Sequence, residues 1–192
     1  GSVELVRRAK ADGLPVTDEA APHHFSLTDE QLRGYDATFK VNPPLRTAAD
    51  IAALKAGLAD GTIDAIATDH APHPPDHKER PLDQAPPGML GLETALGVSL
   101  AELDLPVADV VAALSWKPAA IAGIADRHGR PIAAGEPANL AVFDPDVTWQ
   151  VAPAALASRS RNTPYVGRDL RGRVRHTVFA GTPVVIDGVP QR

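Results

Sequence analysis

The chain of 192 residues contains no cysteine, which excludes disulfides and thiolate metal sites. Any transition metal would need histidine and carboxylate ligands. Long hydrophobic runs are also missing. No stretch approaches the roughly 18 apolar residues of a membrane span, and the opening residues GSVELVRRAK lack the apolar block of a secretion signal. The formal net charge of -5 gives no electrostatic basis for binding nucleic acid. We therefore expect a cytoplasmic globular protein without nucleic-acid or membrane partners.

Hydrophobic residues make up 44% of the chain and charged residues 22%, which suffices for a core and one or two domains. Helix and strand signals alternate in the first two thirds. The patterns predict a helix capped by Ser2, an extended run over 14–19, a short helix after Thr28, a helix that begins at the cap Thr47, and a strand over 62–68. Such alternation is typical of an α/β fold with a parallel sheet.

A helical region and a β-rich region follow. Residues 90–123 are helical in pattern, with Pro106 and Pro118 suited to first-turn positions. Later runs are β-branched or alternating and are separated by Gly, Pro and Asp; they cover 138–143, 147–151, 173–180 and 182–186. We place a domain boundary in the polar segment 126–131, so that residues 1–128 form the α/β part and 129–192 a small β-rich domain.

Polar side chains stand where two of the predicted strands end. Asp69 and His73 follow one strand in ATDHAPH, and His23 and His24 follow the strand that ends near Glu19 in EAAPHHF. In parallel sheets the ligand site lies at the carboxyl ends of the strands, so these groups should face one mouth. A carboxylate there can bind a metal and accept a proton from a metal-bound water.

Each of these residues also has a purely structural explanation. An aspartate after a strand often caps a helix or forms a turn. His23 and His24 are adjacent, so their side chains diverge, and buried histidines are usually hydrogen-bonded to the fold. Asn42 would start a turn before its two prolines, and residues 78–80 would form a solvated loop.

Four motifs taken in order resemble one family. EAAPHHF, FKVNPPLR, ATDHAPH and APPGMLGLETAL resemble the corresponding segments of bacterial dihydroorotases, which are members of the amidohydrolase superfamily. The closing segments ANLAVFDPD and NTPYVGRDLRGRVRHTVFAGTPVV look like the carboxyl-terminal β region of the same family. The resemblance therefore extends over essentially the whole chain.

The resemblance implies a (β/α)₈ TIM-type barrel, of which 1–128 would be the last part, with a small β-sandwich to which 129–192 contribute. It also implies zinc-dependent, reversible cyclisation of N-carbamoyl-L-aspartate to L-dihydroorotate in pyrimidine synthesis. Asp69 would be a ligand of a two-zinc site and the carrier of the proton from water to the leaving nitrogen. Zinc would lower the pKa of bound water to about 7 and polarise the carbonyl.

The resemblance assigns substrate contacts to other residues. Asn42 and His73 would bind the substrate, and backbone groups near Pro87 and Gly88 would close over the pyrimidine ring. Glu19 would support the metal site without binding the metal. The paired histidines after Pro22 would be structural. The loop over 74–86, rich in proline and charge, would lie over the site and move.

The chain departs from the family in its metal ligands. The resemblance places the His-x-His pair, the bridging lysine or aspartate and two further histidines upstream of Gly1, and one carboxylate cannot hold two zinc ions. We therefore expect the carboxyl-terminal part of a longer enzyme, inactive alone and partnered by the missing amino-terminal half. An opened barrel would expose the apolar faces of Leu14, Val16, Ile63 and Ile66.

Several alternatives stay open at this point. An allantoinase or a dihydropyrimidinase would share the fold and the metal, although His73 and the NPPLR segment favour a dihydroorotase. A non-catalytic, dihydroorotase-like scaffold subunit of aspartate transcarbamoylase would share the fold alone, and Asp69, His73 and Asn42 argue against it. A homo-oligomer and an aspartate transcarbamoylase partner are further expectations from the resemblance.

Overall fold

The computed structural model describes residues 1–191 and begins with two helix–strand units. Helix α1 (Ser2–Ala11) precedes strand β1 (Glu19–Ala20), and helix α2 (Ala48–Ala59) precedes strand β2 (Ala65–Ile66). The two strands pair in parallel, which confirms the α/β alternation. Both are shorter than predicted, because a strand extends only where a neighbour continues the hydrogen-bond ladder. Within residues 1–191, β1 pairs with β2 alone.

Two of the three predicted helix starts agree with the structure, and at one of them, Thr47, the side chain caps the helix; the Thr28 side chain makes no capping hydrogen bond. Thr47 and Asp50 form a reciprocal capping box at the start of α2. Thr28 precedes a short 3₁₀ helix, Asp29–Gly34. The predicted cap at Ser2 is wrong: Ser2 lies inside α1, Gly1 occupies the cap position, and no side chain caps this end.

The predicted helical region 90–123 is divided into three helices. They are α4 (Ala95–Glu102), α5 (Val107–Leu114) and α6 (Trp116–Ile121), and a single turn, α3 (Pro75–Lys78), lies before them. Pro106 stands just before α5, where its missing N–H costs nothing. Pro118 falls in the first turn of α6, as predicted. The shorter 3₁₀ segments are Pro22–Phe25, Ala37–Phe39 and Pro153–Ala155.

An antiparallel sheet of four strands forms the last part of the described chain. Its strands are β3 (Leu140–Gln150), β4 (Asp169–Phe179), β5 (Thr182–Ile186) and β6 (Val189–Pro190), in that order across the sheet. The two runs predicted over 138–151 form one strand with an irregular register between Asp144 and Thr148, so the predicted turn is a bulge.

One hydrophobic core joins the two predicted domains. Leu170 of β4 is 1% exposed and belongs to the same buried cluster as Val98 of α4 and Met89. A Cβ on Gly97 would stand 3.0 Å from the Cβ of Leu170, so α4 lies close against the sheet. The boundary at 126–131 falls between α6 and β3 and stays a prediction.

An opened barrel was expected to expose four apolar residues, and their burial tests this expectation. Leu14 and Val16 are exposed, as predicted, but Ile63 and Ile66 are buried at 1% and 4% exposure. For these two the prediction is wrong: a Cβ on Gly57 of α2 would lie 3.1 Å from the Ile63 side chain, and α5 and α6 contact β2, which contains Ile66. No helix in the described part of the chain has the length and apolar character needed to cross a membrane.

Candidate active site

Asp69 stands three residues beyond β2, in the left-handed backbone region with φ 47°. Aspartate is one of the few residues that tolerate this conformation. Its side chain is 52% exposed, and its Oδ2 lies 4.0 Å from Nε2 of His23. The β2 strand therefore delivers a carboxylate to an accessible surface beside a histidine of the preceding strand end.

His23 is buried to 2% exposure, and its Nε2 has no hydrogen-bond partner among residues 1–191. Burial, assisted by the neighbouring His24, lowers the pKa of His23 to about 3. The imidazole is therefore neutral near pH 7. The expectation that buried histidines are hydrogen-bonded does not hold for Nε2 of this residue.

His24 has the structural role that the sequence predicted. Its Nε2 is hydrogen-bonded to the Pro43 carbonyl at 2.8 Å. Its ring packs edge-on against the ring of His23, with centroids 4.3 Å apart. The predicted divergence of the two histidine side chains is therefore wrong. The hydrogen bond to Pro43 joins the segment after β1 to the segment that carries Asn42.

Three of the residues assigned to the substrate lie together. Nε2 of His73 is 3.0 Å from the Pro87 carbonyl. Gly88 has a φ of 129°, and a Cβ there would lie 2.6 Å from the Cβ of Ala71 and 2.9 Å from Nε2 of His73. Only glycine fits at such a position. The loop that carries Ala71 and His73 therefore meets the loop that carries Pro87 and Gly88 at Gly88.

Asn42 is exposed, and the segment that carries it contacts the loop of Gly88. The Gly88 N–H donates to the carbonyl of Lys40, two residues before Asn42, at 2.8 Å. The substrate contacts of Asn42, His73, Pro87 and Gly88 stay predictions. The geometry does bring their chain segments into contact.

Lys78 corrects the expectation of a solvated loop over 78–80. It is buried at 9% exposure, and its Nζ donates to the carbonyls of Pro86 and Gly88, each at 3.0 Å. Burial, and then the nearby Lys40, lower its pKa. Glu79 and Arg80 are exposed, as predicted. The loop over 74–86 is therefore fixed at Lys78, and its movement over the site is untested.

Two residues near the site were not identified from the sequence. Nδ1 of His70 accepts from the backbone N–H groups of Gly91 and Leu92, at 3.1 and 3.2 Å. Asn162, nearly 90 residues farther along the chain, accepts a hydrogen bond from the His73 N–H at 3.1 Å. Asn162 opens the quoted segment NTPY, but no periodicity or spacing connects it to His73.

The described residues do not form a complete metal site. No three histidine or carboxylate side chains within 1–191 come together as metal ligands would. Glu19 is exposed on β1, and no hydrogen bond found in this range joins its carboxylate to Asp69, so its supporting role is untested. Of the expected ligands the chain offers Asp69, and a zinc pair does not fit these residues alone.

Comparison with known proteins identifies the family. The profile of the amidohydrolase family matches residues 1–184. The chain belongs to the amidohydrolase family. Among curated amidohydrolases it is 54% identical over 192 residues to the dihydroorotase of Streptomyces coelicolor, and the match covers 98% of this chain and 45% of that protein. The dihydroorotase of Mycobacterium tuberculosis is 47% identical, with 98% and 44% covered.

Solved structures give the same fold relationship. The L-hydantoinase (dihydropyrimidinase) of Arthrobacter aurescens superposes with a TM-score of 0.89 at 30% identity, covering 99% of this chain and 44% of that one. The D-hydantoinase of a Thermus species superposes with a TM-score of 0.87 at 25% identity, with 98% and 43% covered. The chain therefore spans about 45% of the length of the relatives that it matches. The resemblance to dihydroorotases is confirmed.

Proposed function

We propose that this chain is the carboxyl-terminal part of a dihydroorotase, which interconverts N-carbamoyl-L-aspartate and L-dihydroorotate in pyrimidine synthesis. The observation that carries the proposal is the accessible Asp69 at a strand end, in a chain 54% identical to a curated dihydroorotase. Nearby, His73, Pro87 and Gly88 converge as a set of groups that can hold a small polar ring.

Asp69 has the chemistry and the exposure for proton transfer. Hydrolysis of a cyclic amide requires a base to take a proton from the attacking water and an acid to give it to the leaving nitrogen. A half-exposed carboxylate at the mouth of the site can do both in turn. The neutral His23 beside it adds no positive charge that would compete for the carboxylate.

His73 and Gly88 would place the substrate. The Nε2–H of the His73 ring donates to the Pro87 carbonyl, which fixes the orientation of the ring. Hydrogen-bond donors suit the carboxylate of dihydroorotate. The absence of a side chain at Gly88 allows the substrate ring to approach the backbone closely.

The metal would be a pair of zinc ions, and Asp69 would be the ligand that this chain contributes. The remaining ligands would come from the portion of the relatives that this chain does not match. A further barrel strand would pair with the outer edge of β1. This edge lies beside an open cleft of about 860 Å³ that Glu19, Ala20 and His24 help to line. The same portion would complete the barrel and the β-sandwich.

Hydantoinase or allantoinase activity is the second candidate. The hydantoinases of Arthrobacter aurescens and the Thermus species superpose well, but their sequences are 30% and 25% identical to this chain. The dihydroorotase of Streptomyces coelicolor is 54% identical. The identity difference favours dihydroorotase. A scaffold without catalysis would not need Asp69, His73 and Asn42 together. A cytoplasmic homo-oligomer, with or without aspartate transcarbamoylase, is the setting that we propose.

The test is reconstitution. The chain is expressed alone and together with the amino-terminal portion of the Streptomyces coelicolor dihydroorotase, either fused or as a separate polypeptide; we call the combination the reconstituted enzyme. Zinc content and dihydroorotate hydrolysis are then measured, with hydantoin and allantoin as competing substrates. We expect zinc and dihydroorotase activity only in the reconstituted enzyme. Activity of the chain alone, or a preference for hydantoin, would contradict the proposal.

A further inference from the structure

Asn162 lies between the two loops that converge at the candidate site. It is 7% exposed. Its Nδ2 donates to the carbonyl of Ala71 at 2.9 Å and to the carbonyl of Gly88 at 3.3 Å. Its Oδ1 accepts from the His73 N–H at 3.1 Å. Both donors and the acceptor oxygen of the amide are therefore used, and every partner belongs to a loop of the site.

The backbone of Asn162 makes a fourth connection. Its carbonyl accepts from the Leu90 N–H at 3.0 Å, while the Ala71 N–H donates to Met89 at 2.9 Å. Asn162 thus stands beside the closest approach of the two loops, where a Cβ on Gly88 would already overlap Ala71. A small error in loop separation at this point would displace both Gly88 and His73.

The segment that carries Asn162 is itself rigidly held. Thr163 and Tyr165 are each 3% exposed. The Tyr165 hydroxyl is hydrogen-bonded at 2.8 Å to the hydroxyl of Ser26, which donates to the Pro22 carbonyl. The same segment therefore also contacts the strand end that bears His23. A residue fixed in this way can hold the loops that it binds at a defined separation.

We infer that Asn162 is a positioning residue for substrate binding, which holds the loops of His73 and Gly88 at the separation that dihydroorotate requires. The inference rests on the proposed function for the identity of the substrate. Asn162 does not touch the reacting atoms in this assignment. Its effect passes through the backbone of His73 and Gly88, and a misplacement of about 1 Å at a site can cost on the order of 100-fold in rate.

Two variants separate positioning from a general loss of stability. Asn162→Ala removes all three side-chain hydrogen bonds. Asn162→Asp keeps the shape and the acceptor for the His73 N–H but loses both donors and turns a carboxylate oxygen toward two carbonyls. Asn139→Ala is the matched control, since the Asn139 amide also joins two segments, donating to the Arg127 carbonyl at 3.1 Å and accepting from the Ala180 N–H at 2.8 Å, and neither segment is a loop of the site.

The measurements are steady-state kinetics, zinc content and hydrogen exchange on the reconstituted enzyme. In both Asn162 variants we expect kcat/KM for dihydroorotate to fall by about 10- to 100-fold, mainly through KM, with zinc unchanged. Amide exchange at His73 should accelerate in Asn162→Ala and stay close to that of the unsubstituted enzyme in Asn162→Asp. Asn139→Ala should change kcat/KM by less than about twofold.

The outcomes distinguish this inference from the proposed function. Asn162 variants whose KM and His73 exchange match those of Asn139→Ala would overturn the inference while leaving the dihydroorotase assignment intact. An unsubstituted reconstituted enzyme without dihydroorotase activity would refute the proposed function instead. In that case the exchange measurement still decides, because unaltered protection of His73 in Asn162→Ala would show that Asn162 does not position the loop.

Discussion

Replacing Gly88 by alanine should disable the substrate loops, and the structure sets the size of the effect. The new Cβ would lie 2.6 Å from the Cβ of Ala71 and 2.9 Å from Nε2 of His73. The His73 ring can rotate away, but the Ala71 Cβ is attached directly to the backbone. Since ordinary contacts begin near 3.4 Å, the loops must separate by roughly 3.4 − 2.6, or about 0.8 Å, which approaches the displacement that costs on the order of 100-fold in rate.

The same substitution should also destabilise the protein. Gly88 has a φ of 129°, a backbone conformation that costs an alanine about 1–3 kcal/mol. Overpacking adds about 1–3 kcal/mol. Gly13→Ala is the matched control, because Gly13 has a φ of 77° and a Cβ there would meet nothing within 4 Å. It should cost about 1–2 kcal/mol in backbone strain alone.

The assay compares the two variants in the reconstituted enzyme. Urea denaturation gives the free energy of unfolding, and dihydroorotate hydrolysis gives kcat/KM under conditions in which both variants are folded. We expect kcat/KM of Gly88→Ala to fall on the order of 100-fold and that of Gly13→Ala to stay unchanged. Equal kcat/KM in the two variants would refute the reasoning, because the clash at the loops would then have no consequence for substrate binding.

Three further predictions concern single side chains in the reconstituted enzyme. Asp69→Asn should lower turnover by about 10²- to 10⁴-fold while the fold is retained, since asparagine also tolerates a φ of 47°; near-normal turnover with zinc bound would exclude Asp69 as the proton carrier. His73→Ala should raise KM for dihydroorotate, as Asn42→Ala should, without loss of zinc, and a loss of zinc would identify His73 as a ligand. Burial opposes ionisation of Glu102, but hydrogen bonds from Lys55 and Arg168 outweigh it and lower the pKa of Glu102. Its contribution to stability should be present above pH 4.5, the ordinary pKa, and be lost as the pH falls below it. Glu102→Gln should therefore lower the free energy of unfolding by about 2 kcal/mol at pH 7 and weaken its dependence on pH in the acid range. Glu136→Gln, which disrupts the exposed pair with Arg130, should do neither.

Local signals in the sequence predicted local structure well. The capping box of Thr47 and Asp50 depends on residues three apart, and the structure contains it as predicted. The sequence predicts a strand over 62–68, but the paired strand is Ala65–Ile66. The length of a hydrogen-bond ladder depends on the neighbouring strand, which the sequence of one strand does not specify. The burial of Ile63 was missed because the preceding helix α2 folds back over it: a Cβ on Gly57 would lie 3.1 Å from the Ile63 side chain, a contact that the alternating pattern of 62–68 does not specify.

The environment of the site was harder to predict for the same reason. Lys78 is charged and lies in a proline-rich loop, which favours a solvated position, but its Nζ is buried against the Pro86 and Gly88 carbonyls. Asn162 contacts His73 across 89 positions of sequence. A hydrogen bond between an amide and a distant backbone leaves no period and no fixed spacing. The family resemblance assigns His73 and Gly88 to the substrate but does not point to the residues that hold them.

The division of chemistry within the site also follows from these contacts. Asn162 and Lys78 fix the loops of His73 and Gly88, the residues to which we assign the substrate in the proposed function, through hydrogen bonds that are largely buried. Asp69 differs: it is half exposed, and the histidine whose Nε2 lies 4.0 Å from its Oδ2, His23, is neutral near pH 7. A carboxylate with an uncompensated charge is suited to accept a cation, whereas two loops held at a fixed separation are suited to hold a neutral ring. We therefore propose that this chain recognises the substrate and that the portion of the relatives that it does not match supplies the rest of the metal site.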